Sequence, residues 1–209
     1  MQTPFRRSSQ RATFNVLDYG ADPTGSADST EAIQDAIDAA AIVGGNVCLP
    51  AGTYNVVPLD GYDHAVSLKS NVKVFGAGVG TTIITFPTQT EAKQIFYGSG
   101  VDYAEIAELT ITTPDPGDLD TRAAWYPCAV FLVGCDDCKI TNVRAEHMRH
   151  GVKVGSGATC NRLTVSGYET HDCITALFTA NLSVASFTDC VCPVVTNNVI
   201  QNHTIYCER

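Results

Sequence analysis

Strand-like apolar segments return at a nearly constant interval through the second half of this 209-residue chain. Ala129–Val133, Gly151–Val154, Ile174–Phe178 and Val195–Ile200 begin 22, 23 and 21 residues apart (151−129, 174−151, 195−174). Val143, Val165 and Phe187 keep this interval, as do Cys138, Cys160 and Leu182. Such a period without a helical pattern inside it is a solenoid signature, because each repeat is too short to bury its own apolar face. Three short strands with turns between them fit one coil. Parallel stacking then makes distant residues vertical neighbours about 4.8 Å apart. On this reading Val143, Val165 and Phe187 share one interior column, and Cys138 lies over Cys160. Leu109 to Val143 spans 34 residues (143−109), about one coil plus a polar excursion holding Pro114–Asp120, Trp125 and Tyr126.

The entry to this array has a different pattern. Between Phe14 and Val56 a short strand leads into Asp18-Tyr-Gly-Ala-Asp22, then a helix, a Gly44-Gly45 stop, and a strand ending in Pro50-Ala-Gly-Thr-Tyr54. Ala32, Ile33, Ala36, Ile37, Ala40 and Ala41 recur at helical spacing and predict a helix over about 28–43 with one small apolar stripe. Asp28 and Glu31 are spaced as an N-cap and its reciprocal partner. Glycine at the far end takes the left-handed conformation cheaply. One such helix is suited to plugging the open end of a coil, whose core and backbone donors are otherwise exposed.

This order of elements resembles the entry segment of the pectate-lyase-like family. The resemblance implies an all-β fold, a right-handed single-stranded parallel β-helix of about 22 residues per coil with an N-terminal capping α-helix. Members include polysaccharide-cleaving enzymes and phage tailspikes. The domain is expected over 14–209, preceded by a flexible or docking arm over 1–13. Gly134-Cys-Asp-Asp-Cys138 and His150-Gly-Val-Lys-Val-Gly-Ser156 resemble the aspartate-pair and His-Gly segments of polygalacturonases. There the two elements lie about one coil apart. Asp137 and His150 are 13 residues apart (150−137), so those roles are not carried over.

Composition limits the partners. The chain is 44% hydrophobic and 17% charged, which is globular rather than disordered, and no apolar run reaches membrane-spanning length. A net charge of −9 argues against nucleic acid. The N-terminus has basic residues and no apolar core, so no secretory signal is expected. Nine cysteines suit an oxidising environment, and the odd count leaves one free or bonded to another chain. A virion or extracellular location reconciles the two. Cys128, Cys135, Cys138, Cys160, Cys173, Cys190, Cys192 and Cys207 are disulfide candidates. Cys135-x-x-Cys138 reads as a turn with core cysteines rather than a metal site, since zinc needs two further ligands. Val74–Thr81 lacks phosphate-loop glycine spacing and reads as a tight turn between strands.

Two clusters carry candidate chemistry. Glu146, Arg149 and His150 occupy one turn and Glu169 and His171 the next, so stacking would bring carboxylates, imidazoles and a cation together as catalytic candidates. Asp115, Asp118, Asp120, Trp125 and Tyr126 form a candidate carbohydrate-binding excursion, able to stack a sugar or hold calcium, the one cofactor considered, and equally able to contact a neighbouring subunit. The absence of a second cap motif before Arg209 predicts that the coil end is covered by a homo-oligomer such as a trimer, by other virion proteins, or by further residues of the same polypeptide. The function expected is a virion structural or host-contacting protein, of tailspike, collar or decoration type, with host surface polysaccharide as a further partner. The alternative is a polysaccharide lyase or glycoside hydrolase of the same fold.

Overall fold

The computed structural model describes residues 11–58, 62–86, 93–114, 127–155, 158–171 and Cys173, and the backbone of Thr175–Thr179, Val184–Thr188 and Thr204–Glu208. The excursion with Asp115, Asp118, Asp120, Trp125 and Tyr126 lies outside the described residues, as do Cys190 and Cys192 and the side chain of Cys207.

The chain winds into a parallel β-helix with three faces per coil. The first face stacks Thr13–Asn15, Asn46–Leu49, Lys73–Gly76, the leading halves of Glu105–Thr112 and Lys139–Glu146, then Leu163–Ser166, Val184–Thr188 and Thr204–Glu208. The second stacks Thr24–Asp28, Gly52–Asn55, Thr82–Thr85, the trailing halves of the two long strands, and Glu169–His171. Both belong to one twelve-stranded sheet. The third face is a separate five-stranded sheet of His64–Ser67, Gln94–Ser99, Cys128–Val133, His150–Val154 and Thr175–Thr179.

Columns of apolar side chains fill the interior. Val47, Val74, Ile106, Ile140 and Val165 are consecutive register partners on the first face, each at most 1% exposed. Tyr54, Ile84, Ile111 and Ala145 do the same on the second, and Val66, Phe96, Val130 and Val152 on the third. Burying each large member contributes about 1.5–3 kcal/mol.

The expected column of Val143, Val165 and Phe187 is corrected in its first member. Val165 does lie between its neighbours at the register of Phe187, but its partner on the other side is Ile140. Val143 pairs with Leu109 instead. The 22-residue interval does stack Val165 on Phe187 and Val130 on Val152, but from Val143 to Val165 it joins residues on either side of a corner. Elsewhere stacked residues are separated by 32 positions at Lys73 and Glu105, 34 at Glu108 and Asn142, and 25 at Arg144 and Glu169. Turn lengths vary between coils while the strand positions stay aligned.

The corners explain that alignment. Asn71, Tyr103, Asp137 and Arg162 have φ of 64°, 58°, 55° and 53° and turn successive coils into the first face. The N–H groups of the first three bond the next coil: Asn71 to Asp102 O at 2.9 Å, Tyr103 to Asp136 O at 3.0 Å and Asp137 to Asn161 O at 3.0 Å. Glu108, Asn142 and Gly167, also left-handed, separate the first face from the second. One left-handed residue bends the chain and keeps its backbone within the ladder.

The helix is Thr30–Val43, with Ile33, Ala36, Ile37 and Ala40 fully buried against the first coil and Gly44 left-handed at φ 66°. The cap differs from expectation. Ser29 is the N-cap, while Asp28 ends the preceding strand and accepts from Thr30 N and Thr30 Oγ1 at 3.0 and 2.6 Å. Gln34 covers the third face's edge: its Oε1 accepts from Ser67 N at 2.7 Å and its Nε2 donates to Ser67 O at 3.2 Å. Of the turn expected over Val74–Thr81, Val74 to Gly76 belong to a first-face strand and the turn itself occupies 77–81, closed by Thr81 and Thr82 N–H groups donating to Gly78 O at 3.0 Å each.

Two substitutions test this packing. Ile140→Ala is expected to cost about 2–5 kcal/mol of stability, measured by urea unfolding. A methyl at Gly76 would meet Glu108 O and, at 2.7 Å, Thr82 Cβ, so Gly76→Ala is expected to cost about 1–3 kcal/mol in the same assay.

Candidate functional site

Stacking gathers polar side chains in two outward places. The first is a groove of about 250 Å³ along the corner into the first face, lined by Arg11, Lys73, Tyr103, Glu105, Asp137 and Lys139 among others. Lys73, Glu105 and Lys139 are register partners on three successive coils, so their side chains form one outward row. Lys73 Nζ lies 2.8 Å from Glu105 Oε1. Arg162 forks onto Asp137 through Nε and Nη2 at 2.7 and 2.8 Å, and this guanidinium holds the Asp137 carboxyl below the usual carboxylate range. The Arg11 guanidinium donates to Asn71 O at 3.0 Å, bringing a further cation to the rim. Tyr103, 58% exposed on its left-handed corner, presents an aromatic ring beside these charges.

The second place contains part of the expected catalytic cluster. Glu146 is the register partner of His171, and Arg144 of Glu169. Arg144 Nε approaches Glu169 Oε2 at 2.8 Å and its Nη1 approaches Glu146 Oε1 at 3.7 Å, while His171 Nε2 is 3.8 Å from Glu169 Oε2. Stacking therefore unites Glu146, Glu169 and His171, but the cation between them is Arg144. Arg149 and His150 stand past the next corner, where Arg149 N donates to Pro127 O at 3.1 Å and His150 opens a third-face strand opposite Cys128. That is the correction to the predicted set: side chains separated by the His147 corner, φ 57°, point from different faces. Burial, aided by Arg149 and Lys153, holds the His150 imidazole down at about 4.

Arg144 has no signal at the 22-residue step, which leads from it to Ser166. At the true step of 25 it falls on Glu169. The groove was missed for the same reason, since Lys73, Glu105 and Lys139 share no local motif. On the third face, His64 and Tyr97 rings lie 4.6 Å apart, Tyr97 and Phe131 5.6 Å, and Lys153 Nζ sits 4.4 Å above Phe131. That cation–π contact covers the last ring with the protein's own cation.

The cysteines differ from expectation in their pairing. Cys128, Cys135, Cys138, Cys160 and Cys173 are thiols. Cys160 stacks on Cys135 rather than on Cys138, with Cys135 N donating to Cys160 Sγ at 3.2 Å. Burial pushes the Cys128 thiol up to about 12, which makes it a poor nucleophile.

Residues 13–116 match the family model described as rhamnogalacturonase A/epimerase, pectate lyase-like. The chain is a pectate-lyase-like parallel β-helix. Over 76 residues, 34% of this chain, it is 54% identical to the mannuronan C5-epimerase AlgE3 of Azotobacter vinelandii, a match covering only 4% of that protein. Its fold is similar to the A-module of the Azotobacter vinelandii mannuronan C-5 epimerase AlgE4, with TM-score 0.63, 25% identity, and coverage of 93% of this chain and 58% of that one. It is also similar in fold to bacteriophage phi29 gene product 12 in its pre-mature form, with TM-score 0.58, 16% identity, and coverage of 84% and 28%.

The buried imidazole sets a pH dependence. His150 binds its proton more readily unfolded, near 6.5, than folded, near 4, so its contribution to stability falls as pH drops from about 6.5 to about 4. His150→Gln is expected to remove that part of the slope in urea midpoints measured across this range.

Proposed function

We propose that this chain is the polysaccharide-contacting β-helix of a virion or cell-surface assembly, and that the groove on its first-face corner holds an anionic glycan. The observation that carries the reading is the placement of Arg11, Lys73 and Lys139 around the exposed Tyr103 ring, in a chain whose net charge is −9. Glu105 is matched by Lys73 and Asp137 by Arg162, so Arg11 and Lys139 leave a local cationic surplus among the lining side chains. A uronate polymer supplies carboxylates for the cations and a pyranose face for the ring. Support also comes from the relative that acts on mannuronan, a polyuronate, and from the phage protein of similar fold. The assembly reading includes a homo-oligomer, which native mass in solution would reveal as a multiple of the chain mass.

Binding of labelled mannuronan is expected to exceed binding of neutral dextran and to weaken as salt is raised. Lys73→Ala with Lys139→Ala is expected to weaken it about tenfold, as for the loss of about 1.4 kcal/mol. Equal binding of dextran, or no effect of the double variant, would overturn the reading.

A second reading is a lyase or glycosidase acting at Glu146, Glu169 and His171, because stacking does bring these three together. Against it, the Arg144 fork is already engaged by two of the protein's own carboxylates. Release of new reducing ends or unsaturated uronate from a panel of polysaccharides, lost in Glu146→Gln and His171→Gln, would establish it.

A further inference from the structure

Three cysteines from two coils meet inside the solenoid just behind the groove corner. Cys135 and Cys138 flank the bend at Asp136 and Asp137, and Cys160 comes from the following coil. A parallel bridge between Asp136 and Asn161 puts residues 135 and 160 side by side on adjacent coils. Cys135 N donates to Cys160 Sγ at 3.2 Å. The Cys135 sulfur also reaches Gly98 O at 3.3 Å and the Cys138 sulfur reaches Val101 O at 3.6 Å, so both side chains point into the core. The three residues are 2%, 3% and 1% exposed. Neither the groove nor the Arg144 cluster uses them.

Adjacent residues on neighbouring parallel strands have Cα separations inside the 4.4–6.8 Å window a disulfide tolerates, roughly. We propose that Cys135 and Cys160 are a coil-to-coil disulfide site, with Cys138 as the third thiol able to exchange into it. The oxidant is a low-molecular-weight disulfide. The Cys135 thiolate attacks one of its sulfurs, and one small thiolate leaves with the bonding electron pair. The Cys160 sulfur, giving up its proton, then attacks Cys135 in the mixed disulfide, and the second small thiolate leaves. Two protein thiols are oxidised, one small disulfide is reduced to two thiols, and the two protons end on those thiols. The S–H groups of Cys138 and Cys160 pull the Cys135 thiol below its ordinary value, which favours it as the attacking sulfur. Burial confines the first step to folding or to local opening of the coil.

The test refolds the full chain with a glutathione redox pair, blocks remaining thiols under denaturing conditions, and maps peptides after cleavage at Asp136 and Asp137, which separates Cys135 from Cys138. A linked peptide joining Cys135 to Cys160 is expected in the wild type and in Cys138→Ser. In Cys160→Ser the link is expected to move to Cys135–Cys138, and in Cys135→Ser no link within the three is expected. Reduction is expected to lower the urea midpoint of the wild type and Cys138→Ser but not of Cys135→Ser. Natively folded wild type with no Cys135–Cys160 peptide after oxidation would overturn the proposal, as would a Cys135–Cys138 link in its place.

Discussion

Every property of this molecule depends on the left-handed residue at each corner and the hydrogen bond it passes to the next coil. Asn71, Tyr103, Asp137 and Arg162 repeat one conformation on successive coils. A non-glycine residue in that conformation costs about 1–2 kcal/mol, so it persists only where the ladder and the core over-determine it. Here the N–H of each of the first three lies within 3.0 Å of a carbonyl on the following coil. Once the corners coincide, the strands between them must lie in register, and the apolar residues must fall into columns. Intervening turns are free to differ in length, which is why steps of 25, 32 and 34 residues coexist in one regular solid.

The same constraint creates the polar surface. Residues beside a corner project outward from every coil, so their charges accumulate along the axis whatever their distance in sequence. Lys73, Glu105 and Lys139 form such a row, and Arg162 reaches back one coil to Asp137. These pairs are partly solvated and each contributes little to stability. Their consequence is spatial: carboxylates are answered by neighbours from the adjacent coil, and the remaining cations face the groove. On the second face the balance is reversed. Arg144 is enclosed by Glu146 and Glu169, a closed cluster that spends its cation internally.

Inside the coil, small soft side chains serve the corners. Cysteine is compact enough to sit where the chain bends and apolar enough to extend the core. That requirement places Cys135, Cys138 and Cys160 together beside the groove corner, and it isolates Cys128 on another face where burial suppresses its acidity. Reactivity among the thiols is therefore decided by which coils abut, not by the Cys-x-x-Cys spacing alone.

The parallel solenoid, its capping helix over most of its length, the Gly44 stop and the turn that ends at Thr81 were all legible in the order of residues. Helical spacing, glycine placement and recurring apolar segments are local signals that survive reading along a line. The pairing of Ile140 rather than Val143 with Val165, of Cys135 rather than Cys138 with Cys160, and of Arg144 with Glu169 was not. So too the groove of Lys73, Tyr103 and Lys139 was hidden. Each depends on the register between coils, and register is set by which residue at a corner adopts the left-handed conformation. Asn71, Asp137 and Asn142 have side chains that tolerate it, but Tyr103, Glu108 and Arg162 take it under compulsion from the stack above and below. A sequence carries the propensity of each residue; only the folded coil, with its neighbours hydrogen-bonded in place, selects where the chain turns.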